Sequence, residues 1–248
     1  MTAHDRRSAL LAVTGAGLAA SATLLSACSK KPDEDKGEGG EGEVTANEDL
    51  MREHGVLRRI LIAYRETAPT LLADASAVDA SALGQAALLF RDFGETYHER
   101  LLEEQHIFPL VRKAGGEGAG LIDTLLAQHK RGREITAFVL DTTKNGSIGT
   151  GDAQPLAAAM VAFARMYEAH TAREDTVIFP AFKASLGEKA YHDLGEQFED
   201  IEHKQFGGDG FDIALGKIAM IEQALGIPVL AAMTAPAPPA ASKPAASS

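Results

Sequence analysis

Residues 170 to 182, HTAREDTVIFPAF, set a histidine four positions before a glutamate and close on Phe-Pro. Residues 98 to 110, HERLLEEQHIFPL, repeat the design with a histidine, a short gap, two adjacent acids and Ile-Phe-Pro. Imidazole and carboxylate without thiolate suit iron, manganese or zinc. Two further histidines stand upstream, His54 before His98 and His129 before His170, at separations of 44 and 41 residues. The chain thus carries a histidine followed by a histidine-plus-carboxylate turn, twice. Doubling of this kind is what a two-metal centre requires, with one half of the site drawn from each copy.

The elements that must position these residues read as helices. Leu50, His54, Leu57, Leu61 and Tyr64 recur at steps of three and four, one stripe of an amphipathic helix over residues 47 to 72, with Arg52, Arg58 and Arg65 off it. A second helix is expected over Ser81 to Gln105, ended by Pro109 and the glycine-rich AGGEGAG. A third runs from Leu121 to Thr142 and stops before KNGSIGTGD. A fourth runs from Gln154 to Thr176 and stops at Phe179-Pro180, because proline lacks the N–H that a helix interior needs. Two shorter helices follow, at Glu188 to Lys204 and Gly208 to Leu225. The expected fold is all-α, an antiparallel up-down four-helix bundle with additional short C-terminal helices. Metal sites in such bundles are built inward from facing helices, and bridging carboxylates there favour a di-iron centre.

At these residues the sequence resembles the hemerythrin-like family, also called the HHE cation-binding domain. The matching features are Glu53-His54, the block from His98 through two acids to Phe-Pro, Gln128-His129, and His170 with Glu174 before the second Phe-Pro. The resemblance spans roughly residues 48 to 210. It implies a helical bundle around a non-haem, usually di-iron, site that can bind dioxygen, in proteins that carry or sense oxygen or handle iron and nitric oxide. The metal ligands expected here are His54, His98, Glu103, His129, His170 and Glu174, with His203 as a further candidate.

Two departures from regularity matter. His98 to Glu103 is a five-residue step; at about 100° per residue, five steps separate side chains by ~140°, whereas four leave them within ~40°. Glu103 can join His98 only if the helix is overwound or carries a π-bulge, and Glu99 is the rival carboxylate. The family does pair one four-step with one five-step. Oxygen-carrying members also have His-x-x-x-His on the third helix, where this chain has Arg133 four after His129. That leaves a more open coordination sphere unless His203 supplies the missing imidazole. Glu104 and Asp175 read as hydrogen-bonding or solvated neighbours, and Arg133 as an ion-pair partner or a solvated side chain. Tyr64, Tyr97 and Tyr167 read as core packing that could turn hydroxyls toward the centre, and His106 and His192 as exposed.

Composition and the chain ends bound the rest. The 248 residues carry a net charge of −11, which argues against nucleic acid as a partner. The single cysteine, Cys28, excludes an intramolecular disulfide. Arg6 and Arg7 precede twenty uncharged residues that end at Leu25-Ser26-Ala27-Cys28. This resembles a twin-arginine export signal with a lipobox, so residues 1 to 28, including His4, are expected to be a signal peptide with Cys28 lipidated. An uncleaved anchor is the alternative, and either places the protein on the extracytoplasmic side of a bacterial membrane. Residues 29 to 47 read as an acidic Gly-rich tether, 48 to 228 as the metal-binding domain, and 229 to 248 as a disordered Pro/Ala-rich tail. The expected function is binding of dioxygen or a similar small ligand at non-haem iron, served by a redox partner that the sequence does not identify. The alternatives are a di-iron redox enzyme acting on peroxide or nitric oxide, and iron storage or a structural metal.

Overall fold

The computed structural model describes residues 44–239. The expected signal with Cys28, most of the expected tether and the end of the expected tail lie outside them. The described residues are helical with no strand, and none of their helices is long and apolar enough to cross a membrane.

Helix α1 spans Ala46–Ala73. It starts inside the segment expected to be tether because Thr45 caps it, its hydroxyl accepting from the Glu48 N–H at 3.4 Å. The expected stripe is its buried face: Leu50, His54, Leu57, Leu61 and Tyr64 are all buried. Asp79 caps α2, Ala80–Leu89, by accepting from the Ser81 and Ala82 N–H groups.

Beyond α2 the winding changes. Residues Phe90–Ile107 form a π-helical stretch, π1, which passes directly into α3, Phe108–Ala114. Gly115 and Gly116, with φ of 79° and 75°, make the turn into α4, Gly116–Thr143. Helix α5, Ala153–Arg173, likewise passes through a short π stretch, π2, Glu174–Ile178, into α6, Phe179–Ala184. Helices α7, Glu188–Phe206, and α8, Gly210–Ala224, complete the set. A 3₁₀ turn at Leu230–Met233 lies within the expected tail and buries nothing.

Two expectations about breaks are therefore corrected. The Phe-Pro pairs do not stop helices; each occupies the first turn of a new α segment, where a missing proline N–H costs nothing. The stretch AGGEGAG is not a loop either, since only its first two glycines turn the chain and the rest begin α4.

Helix α1 packs along α5, and α4 lies against α2, α3, π1 and α5. Phe90, Phe163 and Tyr167 form an aromatic core at one end, with ring centroids 4.6–4.8 Å apart. Helix α8 covers α1 and α2 and is tied down by Glu222, which accepts from Arg59 at 2.8 and 2.5 Å. The approach of α5 to α4 needs a glycine at one contact: a Cβ on Gly132 of α4 would fall 2.0 Å from the Tyr167 hydroxyl.

Gly132→Ala should destabilise the fold by about 1–3 kcal/mol through overpacking. Gly120→Ala on the same helix, where a Cβ meets nothing within 4 Å, should instead gain about 0.5–1 kcal/mol. Urea denaturation of the pair checks both signs, and a harmless Gly132→Ala would refute the packing described.

Candidate metal centre

Helices α1, π1, α4 and α5 each send one histidine inward, and His54, His98, His129 and His170 are all at most 2% exposed. Their Nε2 atoms meet in pairs. His54 and His98 Nε2 are 3.0 Å apart, and His129 and His170 Nε2 are 3.1 Å apart. Two carboxylates lie between the pairs. Glu103 sets one oxygen 3.6 Å from His98 Nε2 and the other 3.4 Å from His129 Nε2. Glu174 sets one oxygen 2.9 Å from His170 Nε2 and the other 3.5 Å from His54 Nε2. Each glutamate thus spans both pairs. Both oxygens of Glu103 are buried without a hydrogen-bond partner, an arrangement that costs free energy unless a cation answers it. Two overlapping groups of buried ligand atoms result: Glu103, His129, His170 and Glu174; and His54, His98 and Glu103.

The five-residue step is resolved by widening rather than tightening. In π1 the i→i+5 pattern brings residues five apart onto one side, so His98 and Glu103 face the same interior. The overwound alternative is thereby replaced. Both halves close alike: the Phe108 N–H donates to the Glu103 carbonyl and the Phe179 N–H to the Glu174 carbonyl, each across five residues.

Behind the site, every Nδ1 has an acceptor. His54 Nδ1 is 2.7 Å from Asp175, His98 Nδ1 2.5 Å from Glu53, His129 Nδ1 2.9 Å from Glu104 and His170 Nδ1 2.9 Å from the Gln128 side-chain oxygen. An imidazole that donates from Nδ1 presents the Nε2 lone pair inward. Arginines four residues after the first histidines hold two of the acceptors. Arg58 pairs with Asp175, and Arg133 pairs with Glu104 at 2.5 Å and with Glu99 at 3.0 Å. The rings are also braced across the halves, Phe179 stacking on His54 at 5.3 Å and Phe108 on His129 at 5.5 Å.

Several sequence expectations are settled in detail. Glu99 faces away from the Nε2 atoms, accepting from the Tyr167 hydroxyl at 2.7 Å and from Arg133. Tyr97 donates to Glu53 at 2.8 Å, whereas the Tyr64 hydroxyl is buried without a partner. His203 does not join the site: it is exposed in the last turn of α7, and its carbonyl accepts from the Gly207 N–H. The buried residue of that turn is its neighbour Glu202, which accepts from the Phe211 N–H at 2.8 Å. His106 is half-buried against Phe198. The roles of Glu53, Gln128 and Arg58 as supports were not assigned from sequence, although His-x-x-x-Arg recurs at 54/58 and 129/133 and marks the last of these.

The electrostatics follow from burial and pairing. Burial would depress the His129 imidazole, yet the carboxylates of Glu99, Glu103 and Glu104 raise it to about 10. His98 is raised well above its ordinary value against burial, chiefly by Glu103. Burial and Glu174 would raise Glu103, but His98 and His129 hold it low. Burial would likewise raise Glu174, but His170 and His54 hold it well below the carboxylate range. Without a cation the carboxylates therefore favour the protonated forms of His98 and His129, and a metal must displace those protons.

The chain matches the hemerythrin HHE cation-binding domain over residues 45–182, which include the four buried histidines, Glu103 and Glu174. The chain belongs to this family of cation-binding helical proteins. It is also 45% identical, over 217 residues covering 84% of each chain, to uncharacterized proteins of Mycobacterium tuberculosis and Mycobacterium bovis. No solved structure matches it.

The metal-free protein should show the pH dependence of these pairs. A raised histidine stabilises the fold below its ordinary value of 6.5 and loses that contribution as pH climbs, through about 10 for His129. The lowered carboxylates stabilise above their ordinary 4.5 and lose the contribution as pH falls. Melting temperature of metal-stripped protein should therefore drop between pH 6.5 and 10, and a flat profile there would contradict the pairing.

Proposed function

We propose that this protein is a membrane-tethered, extracytoplasmic non-haem iron protein with a di-iron centre that binds dioxygen or a related small ligand. In this reading α1, α2 with π1, α4 and α5 form the antiparallel up-down four-helix bundle. His54 and His98 would hold one iron and His129 and His170 the other, with Glu103 and Glu174 placed between the two pairs. The observation that carries it is the facing of Nε2 atoms at 3.0 and 3.1 Å beside the Glu103 carboxylate, whose two oxygens have no hydrogen-bond partner. Only a proton or a cation can lie between such atoms.

Imidazole and carboxylate donors without thiolate suit non-haem iron. Bound iron would supply electrons to an oxygen-containing ligand. The chain's own part is to hold four imidazoles by their Nδ1 atoms, to keep both glutamates ionised and to exclude bulk water with Phe108 and Phe179.

A second reading, a di-iron redox enzyme acting on peroxide or nitric oxide, draws support from Arg133. Oxygen carriers of the family have a histidine where Arg133 stands, and Arg133 turns to Glu99 and Glu104 instead. The coordination sphere beside His129 is correspondingly more open.

Protein reconstituted anaerobically should take up two irons per chain, and admitting air should produce a new absorption band. Reversal of that band on removing oxygen supports binding, whereas sustained consumption of peroxide or nitric oxide supports the enzyme. Absence of bound transition metal after reconstitution would overturn both readings. Glu103→Ala and Glu174→Ala should each lose iron, while Glu99→Ala should keep both.

The tether is tested separately. Cys28→Ala should release the protein from membranes and change the mature mass, and unaltered fractionation and mass would remove the lipoprotein assignment.

A further inference from the structure

The groups that accept from the four histidines correspond between the two halves, with one chemical exception. Each first-helix histidine is followed four residues later by an arginine, Arg58 or Arg133. Each is held at Nδ1 by an acid of the opposite half, Asp175 or Glu104, and that acid is ion-paired to the same arginine. The second-helix histidines break the match. His98 is held by the carboxylate of Glu53, but His170 by the neutral amide of Gln128. Glu53 and Gln128 occupy equivalent places, each immediately before a first-helix histidine.

The summed charge behind the two halves does not differ: Asp175 and Glu53 stand with Arg58 in one, and Glu104 and the buried Glu99 with Arg133 in the other. The difference lies in direct contact. Both imidazoles of one pair have a carboxylate at Nδ1, whereas in the other pair His129 has a carboxylate and His170 an amide. A carboxylate acceptor makes its imidazole a more basic ligand than an amide does.

Access differs in the same sense. A cavity of about 370 Å³ between α4 and α5 is lined by Leu125, Gln128 and His170 itself. On the other half, a cavity of about 500 Å³ between α1 and α7 reaches only Glu53 and Tyr97, and His98 does not line it.

We propose that the two cation positions are inequivalent. The position at His54 and His98 fills first and holds its ion, the position at His129 and His170 exchanges its ion, and the Glu53/Gln128 difference sets the order. This rests on the two-cation reading of the site. It assigns Glu53 and Gln128 as positioning residues that act through His98 and His170.

Anaerobic calorimetric titration of metal-free protein with Fe²⁺ alone tests it. Wild-type protein should show two successive steps separated by about 10- to 100-fold in affinity, the range by which such hydrogen-bond partners alter metal binding. His170→Ala should remove the weaker step and spare the tighter. Gln128→Glu should strengthen the weaker step and narrow the gap, a gain that mere structural damage cannot produce. Glu53→Gln should weaken the tighter step. Equal affinities in the wild type, loss of the tighter step in His170→Ala, or no strengthening in Gln128→Glu would each overturn the inequivalence while leaving two-metal binding intact. Protein that takes up no Fe²⁺ would overturn both.

Discussion

Two glutamates confined in one dry interior are the constraint from which the rest of this structure follows. Glu103 and Glu174 are 0% and 1% exposed, and each raises the free energy of ionising the other. Isolated carboxylates at such depth are too costly to keep charged, so the surrounding protein must answer them. It does so with four imidazoles aimed by their outer nitrogens, and those in turn need acceptors at the right height on neighbouring helices. Asp175, Glu53, Glu104 and Gln128 are these acceptors, and Arg58 and Arg133 keep two of them in register. The polar core is a layered arrangement in which each shell exists because of the one inside it.

The helices bend their own rules to deliver that arrangement. A regular α-helix cannot put His98 and Glu103 on one face, and the long π stretch supplies the missing rotation. The winding then has to return to α, and in both halves it returns at Phe-Pro. Proline has no N–H to give at the point where the hydrogen-bond register changes, and the phenylalanine before it donates five residues back to the buried glutamate. The same ring stacks on an imidazole of the opposite half. Phe-Pro is thus a register change and a brace.

How much of this was legible in the sequence depended on whether the information was local. The four histidines, Glu174 and the helical stripes stood out because period and duplication are one-dimensional properties. The five-residue step from His98 to Glu103 already demanded a distorted helix, although not in which direction. Proline and glycine misled, because their effect depends on the winding that precedes them: Pro109 and Pro180 open helical turns, and most of AGGEGAG is helix. His203 misled because a histidine near a motif has no sequence mark of its exposure. Which histidine each acceptor serves was hidden for a different reason. Glu53 serves a histidine 45 positions away and Asp175 one 121 positions away, and only packing creates such pairs.

The cross-bracing also makes the two hairpins interdependent. One hairpin, α1 with π1, owns two imidazoles and a carboxylate, yet the acid that aims its first imidazole and the ring that covers it belong to the other hairpin. The second hairpin is incomplete in the mirrored way. Neither can present its first imidazole alone, so each half of the polar core forms only when the other does. Because both lie in one chain they need not be identical, and a carboxylate can stand at Glu53 where an amide stands at Gln128.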